Sequence, residues 1–448
     1  MIDLLVVHAG ELVTCRAGPG GAAGEALRRL EIIADGAVAV DRGRVLAVGP
    51  TTALRRRFAA RRVLDAAGRL VSPGLVDPNS HLVFAGSRHR EYERIVTGRA
   101  EPGPRLEGGI HFTVRQTRRA SAAALRAAAL GDLDVMLTHG TTTVEIKSGY
   151  GLDEPTELRL LRVIASLRHP VDVVATFMAA HVVPREYAAR RGAYVDLVVG
   201  MLPRARRYAE YCDMWRDTVG FTEAECLRIA SAAARLGYRL KVHADQLGPA
   251  GGAELAARLG ATSADHLDYI SARGIRALAG SRTVGVLLPG VTHHMLEMTP
   301  SVTDGRLRPA VKPFWPLLVR RMMAAGMRLA LSADYNPGTS PTPSMQIVMQ
   351  LAARLYRLGY AEIWHMSTIN AAHALDRGAD RGSLEPGKRA DLVIWRVPEH
   401  GMVIHRFGVN LVDTVIKDGR VVVEGGQKVP HRAQASFHAP SRRRTTTS

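Results

Sequence analysis

From about Pro73 to about Asp380 the chain alternates between two kinds of segment, and this alternation constrains its fold more than any other feature. Helical stretches rich in Ala, Leu and Arg (Ala122 to Leu137, Glu157 to Ser166, Glu223 to Leu236) are followed by short apolar or β-branched runs. These runs are Thr141 to Glu145, Asp172 to Thr176, Leu240 to His243, Thr283 to Leu288 and Arg328 to Ser332. Neighbouring parallel strands need a long crossover between them, usually a helix, so strand and helix must alternate in this way. Eight such units fit the length available, which predicts an α/β fold built on a (β/α)8 TIM-like barrel.

The two flanks follow a different grammar. Leu4 to Val7, Ala37 to Val40 and Arg44 to Val48 are short strand-like runs separated by turns such as Asp41-Arg42-Gly43. Ala390 to Trp395 and Val415 to Val423 repeat the pattern near the other end, the second interrupted by Lys417-Asp418-Gly419, a hairpin turn signal. Neither flank has a helical core, so together they predict a small β-sandwich domain made from residues 1–72 and 381–436. The barrel then occupies 73–380, and the Arg- and Thr-rich end, 437–448, reads as a disordered tail. A chain of 448 residues is long enough for both domains.

Composition narrows the partners. Hydrophobic residues make up 46% of the chain, as in an ordinary globular protein. No apolar run approaches the roughly 18 to 20 residues of a membrane helix, and Met1-Ile2-Asp3 does not open a secretory signal, so the expectation is a cytoplasmic protein without a membrane partner. Cys15, Cys212 and Cys226 are odd in number and lack C-x-x-C spacing, which argues against a disulfide framework or a zinc-thiolate site. The net charge is +18, but the arginines are scattered through stretches such as Ala53-Leu54-Arg55-Arg56-Arg57 with no aromatic interleaving. That pattern points to a small anionic substrate and not to nucleic acid.

Barrel active sites are built at the C-terminal ends of the strands. Asn79 and His81 follow the apolar run Val71 to Pro78 and, two residues apart, share one face. His243 closes Lys241-Val242-His243, His266 follows Ala264-Asp265, and Asp334 follows Ser332-Ala333. A lone histidine at a strand end is more often a rim or core residue than a ligand, but several such residues in register around one barrel reverse that expectation. His139 and His373 lack this context and read as structural; His293-His294, in a loop after Leu288-Pro289-Gly290, reads as structural or surface.

A longer set of segments carries a resemblance. It comprises Val71 to Arg88, Gly108 to His111, Glu145 to Gly151, Thr176 to His181, His243 to Asp245, Ser263 to Leu267, Val286 to Gly290, Ala333 to Ser340 and Gly382 to Asp391. Together they resemble the imidazolonepropionases, the amidohydrolase-superfamily enzymes of histidine degradation. Lys147-Ser148-Gly149-Tyr150-Gly151 and Asp334-Tyr335-Asn336-Pro337-Gly338 are distinctive of that family, whereas Gly382 to Lys388 is shared across the superfamily.

The resemblance implies a metal, zinc or iron, held at position 79 and by His81, His243 and Asp334. It implies substrate contacts at Arg88, Tyr150, His181, Gln246, Asn336, Gly338 and Thr339, with an arginine suited to a carboxylate. His266 and Asp334 are the implied catalytic pair, taking a proton from the attacking water and passing it to the leaving ring nitrogen. The implied reaction is hydrolysis of 4-imidazolone-5-propanoate to N-formimidoyl-L-glutamate, in a homodimer.

Several positions depart from the family's pattern. Asn79 stands where a ligand histidine is expected, and an amide oxygen is a poorer zinc ligand than imidazole, although three ligands remain. Gln246 stands where many members have glutamate, the segment Gly98 to Glu107 lacks an expected tyrosine-containing loop, and His293 to Pro316 is longer than usual. Two alternatives therefore stay open: a divergent amidohydrolase or cyclase acting on a related nitrogen heterocycle in specialised metabolism, or a metal-deficient, non-catalytic homologue.

Overall fold

The computed structural model describes residues 1–97, 109–294 and 314–430, and the backbone of the short strands Ser301–Thr303 and Arg306–Arg308. The Gly98 to Glu107 segment, most of the stretch between His294 and Phe314, and the tail 437–448 lie outside the described residues.

Eight strands pair in parallel, each with the next in the chain: β1 (Leu75–Asp77), β2 (Thr141–Lys147), β3 (Asp172–Ala180), β4 (Tyr211–Arg216), β5 (Arg239–Ala244), β6 (Ser263–His266), β7 (Val284–Leu287) and β8 (Leu329–Leu331). The ring closes just past the ends of β1 and β8. Ser80 bridges Tyr335 in parallel, Asp334 N–H donates to Asn79 O at 3.0 Å, and His81 N–H donates to Tyr335 O at 2.9 Å. Closure therefore sets Asn79, His81 and Asp334 side by side.

The helices begin where their sequences supply caps. Ser121 accepts from Ala124 N–H ahead of Ala122–Thr138, and Asp153 accepts from Thr156 N–H ahead of Glu154–Ser166. Thr222 and Glu225 form a capping box on Glu223–Arg235. The helix Ala122–Thr138 turns Leu125, Ala129, Leu133 and Met136 inward, a stripe at helical spacing that is fully buried. Each buried leucine of that kind contributes about 1.5–3 kcal/mol relative to leaving it exposed.

The apolar run after Leu70 serves two sheets. Val71–Pro73 pairs with Leu392–Ile394, while Leu75–Asp77 opens the barrel. Gly74 lies at the crossing, where a Cβ would fall 2.3 Å from Thr142 Oγ1, so only glycine fits. The second sheet has nine strands drawn from both chain ends. Leu4, Val6, Val38 and Val40 share one core with Leu384, Leu392, Ile394 and Ile416, which welds the two flanks together. Asp418 and Gly419, both at positive φ, make the two-residue turn that joins Val412–Lys417 to Arg420–Glu424. Among the described residues no helix is long and apolar enough to cross a membrane, and the three cysteines are buried and free.

Candidate metal centre

Three side chains meet where the barrel closes: His81 after β1, His243 near the end of β5, and Asp334 after β8. One donor atom from each lies within 4.8 Å of the others. His81 Nε2 is 3.4 Å from His243 Nε2 and 3.5 Å from Asp334 Oδ1. None of the three is more than 3% exposed.

Each donor is prepared by its surroundings. His243 Nδ1 faces Asp213 Oδ2 at 2.9 Å in a bent contact, which favours the proton on Nδ1 and leaves the Nε2 lone pair turned toward His81. Asp334 Oδ2 accepts from Asn336 Nδ2 at 3.0 Å, while its Oδ1 is buried with no hydrogen-bond partner among the described residues. Burial holds the His81 imidazole well below its ordinary range, so it is a neutral ring with a lone pair to give. Burial likewise pushes the Asp334 carboxyl up to about 7.

Asn79 is fully buried; its Nδ2 donates to Asp265 Oδ2 at 2.9 Å and its Oδ1 has no partner among the described residues. Unpaired buried polar atoms are uncommon in folded proteins, and here they gather around two imidazoles and a carboxylate, a donor set that fits a transition metal.

Beneath this cluster lies an ionic layer that the sequence reading missed. Glu145 and Lys147 on β2, Asp213 on β4, Lys241 on β5 and Asp265 on β6 are all fully buried. Lys147 Nζ lies 2.7 Å from Asp213, 3.0 Å from Glu145 and 3.3 Å from Asp265. Lys241 Nζ reaches Glu145 at 2.6 Å and donates to Pro78 O at 2.9 Å. Burial alone would raise the Asp213 carboxyl, but its contacts with His243 and the Lys147 ammonium outweigh it and hold the group well below the usual carboxylate range. Asp213, His243 and Asp265 form a second cluster with metal-ligand spacing, yet the Lys147 ammonium already contacts both of its carboxylates.

The remaining predicted positions lie on segments that follow the barrel strands. The His181 ring stacks on His81 at 4.8 Å and 15°, and its Nδ1 donates to Gly149 O at 3.1 Å, leaving Nε2 without a partner among the described residues. Burial lowers His181 to about 3. Tyr150 sits 5.6 Å from His81 and 5.5 Å from His181. Its loop is clamped by the buried carboxylate of Glu157, which accepts from Gly149 N–H at 3.1 Å, Gly151 N–H at 2.7 Å and Leu152 N–H at 2.9 Å.

His266 lies 5.0 Å from His243, ring to ring, with φ 82. Asp334 has φ 47, so two site residues hold a left-handed backbone that non-glycine residues rarely adopt. Asn336 Oδ1 accepts from Gly338 N–H and Thr339 N–H, both at 2.8 Å. Arg88 lies against Gly338, where a Cβ would fall 1.9 Å from Arg88 Nη1. Its Nε donates to Glu91 Oε2 at 3.1 Å, and Nη2 donates to Glu91 Oε1. Gln246, just past β5, is placed by its backbone, whose N–H donates to Asp217 Oδ2 at 2.7 Å, and the residue is half-buried.

The other histidines stand elsewhere. His139 contacts Ser344 Oγ at 2.9 Å, His373 packs against Gly21 and Gly378, His294 stacks on Tyr92 at 5.1 Å, and His293 is exposed.

The model of the amidohydrolase family matches residues 70–422, and that of the bacterial imidazolonepropionase-like composite domain matches residues 36–60. Imidazolonepropionase of Geobacillus kaustophilus is 42% identical over 439 residues, covering 95% of this chain and 99% of its own. Imidazolonepropionase of Bacillus velezensis is 39% identical over 427 residues, covering 94% and 97%. Among solved structures, a zinc-bound adenosine deaminase from Xanthomonas campestris superposes with a TM-score of 0.67 at 19% identity, covering 97% of each chain. A 5-methylcytosine deaminase from Klebsiella pneumoniae reaches 0.69 at 16% identity, covering 95% of this chain and all of its own. At such identities these two speak for the fold, whereas the full-length relatives speak for more: the chain belongs to the imidazolonepropionase family of amidohydrolases.

Proposed function

We propose that this protein hydrolyses the cyclic amide of 4-imidazolone-5-propanoate to N-formimidoyl-L-glutamate in histidine degradation, with zinc or iron held by His81, His243 and Asp334. The observation that carries the reading is that the three donor atoms lie within 4.8 Å of one another under the Tyr150 and His181 rings. A cation of this kind acts as a Lewis acid and lowers the pKa of water toward about 7.

The chain's own residues do the rest. Arg88 meets the propanoate carboxylate with the guanidinium edge that Glu91 leaves open, and Gly338 gives it room. Tyr150 and the Nε2 of His181 meet the polar edge of the ring, while Asn336 and Thr339 shape the wall beside Asp334. Gln246 offers an amide from just past β5. Asp334 and His266 are the proton carriers: the water gives up a proton as its oxygen bonds the ring carbonyl carbon. That proton goes to the ring nitrogen as the carbon–nitrogen bond breaks.

The test is turnover of 4-imidazolone-5-propanoate by the purified full chain, with elemental analysis of the same sample. Metal-dependent appearance of N-formimidoyl-L-glutamate is expected, and Arg88→Ala should raise KM about tenfold or more, as loss of a charged hydrogen bond does. Protein that holds no transition metal, or that holds one and leaves the substrate intact, would overturn the reading.

A further inference from the structure

β4 ends in Asp213-Met214-Trp215-Arg216, and none of the roles above uses its tryptophan. Residues two apart on a strand share a face, and Asp213 points into the barrel, where it meets Lys147 and His243. Trp215 therefore faces the same interior one layer higher, in register with His243 across the β4–β5 ladder. Its ring stands edge-on to His181, 6.4 Å between centroids at 76°. The residue as a whole is half-buried, but its Nε1 is buried and has no partner among the described residues.

An indole N–H can only donate. Left unpaired and buried it costs about 1–3 kcal/mol, so a donor held this way at the top of a barrel site is poised for an acceptor that comes from outside the chain. β4 lies across the barrel from β8, and so away from the loop where Arg88 rests on Gly338. A ligand anchored there by its carboxylate presents its other end to Trp215.

We infer that Trp215 is a specificity-determining residue whose Nε1–H donates to an acceptor atom on the heterocyclic end of the substrate. The inference rests on the proposed imidazolone substrate class, and it assigns recognition of the ring to Trp215 and recognition of the carboxylate to Arg88.

Direct calorimetric binding of two probes tests it: imidazole-4-propanoate, whose ring carries an acceptor nitrogen, and 3-cyclopentylpropanoate, which has the same arm on a ring without one. Trp215→Phe should weaken the first probe about 5- to 10-fold, the worth of a neutral hydrogen bond, and shift the second by no more than about twofold. Trp215→His keeps a ring N–H and should recover part of the loss. Equal weakening of both probes, as mere packing would give, overturns the inference, and so does no weakening of either. Because binding is read without turnover, failure of the wild type to hydrolyse 4-imidazolone-5-propanoate would count against the proposed reaction alone.

Discussion

Asn79 donates through Nδ2 to Asp265 Oδ2 at 2.9 Å. Asp265 also accepts from Ser263 Oγ at 2.6 Å and from Lys147 Nζ at 3.3 Å. With Ser263 and Lys147 donating to the same carboxyl group, the amide completes the set as a donor, so its nitrogen and not its oxygen faces Asp265. The oxygen is thereby turned away from the ionic layer and stays unpaired among the described residues. The isolated departure in the donor set is thus built into a hydrogen-bonded network, and three full donors remain, the number that catalytic metal sites commonly keep.

Asn79→His replaces the amide with an imidazole beside those three donors. The variant should hold metal about 10- to 100-fold more tightly, on the scale by which metal affinity responds to lost or gained supporting groups. Competition against a chelator measures this. An affinity equal to that of the wild type would mean that position 79 is remote from the bound ion.

Lys147→Met removes the ammonium that contacts Asp213, Glu145 and Asp265; Glu145 keeps Lys241, while the buried Asp213 and Asp265 lose the lysine they share. Breaking a buried ion pair from one side typically costs about 3–5 kcal/mol. Urea denaturation should show a loss of that order. A loss within that of an ordinary surface substitution would show that the layer relaxes or takes up protons.

Asp268, just past β6, accepts from Thr292 Oγ1 at 3.0 Å, and burial pushes its carboxyl from 3.8 up to about 7. Between those values the folded chain holds a proton that the unfolded chain has released. The stability this group contributes is complete below the unfolded value and is lost as pH rises through the folded one. Asp268→Asn keeps an acceptor for Thr292 but does not titrate. Its stability relative to the wild type should therefore be greater at about pH 8 than at about pH 5. A difference that does not vary with pH would show that Asp268 is ionised throughout.

What could be read from the sequence was local. Strand and helix alternate in the chain itself, and His81, His243, His266 and Asp334 each end a short apolar run, so the barrel and its donors were legible. The ionic layer was not. A lysine on a strand reads as solvent-facing until the barrel closes, and the partners of Lys147 come from β4 and β6 as well as its own strand. β4 was missed for the same reason, since Tyr-Cys-Asp-Met-Trp-Arg turns a charged residue inward and breaks the apolar pattern of a buried strand. Strict alternation along β2 was the available signal, because it places Glu145 and Lys147 on one face.

The pairing of Arg88 with Gly338 joins residues from opposite ends of the barrel sequence, and it gives the glycine a reason that sequence alone does not. Gly338 has no left-handed φ to satisfy; what it supplies is space, since a Cβ would lie 1.9 Å from Arg88 Nη1 and 2.6 Å from Cζ. The guanidinium has little freedom to retreat. Glu91 holds its Nε and Nη2, and Glu91 is itself fixed by Gly109 N–H at 2.7 Å. Gly338→Ala must therefore turn Arg88 away from its present place. If Arg88 binds the propanoate equally in ground and transition states, KM should rise several-fold with kcat nearly unchanged. Glu91→Gln should act in the same direction and less strongly, since it keeps one acceptor for the arginine. A rise in KM without loss of thermal stability would tie the glycine to the position of Arg88. An unchanged KM would separate that position from carboxylate binding.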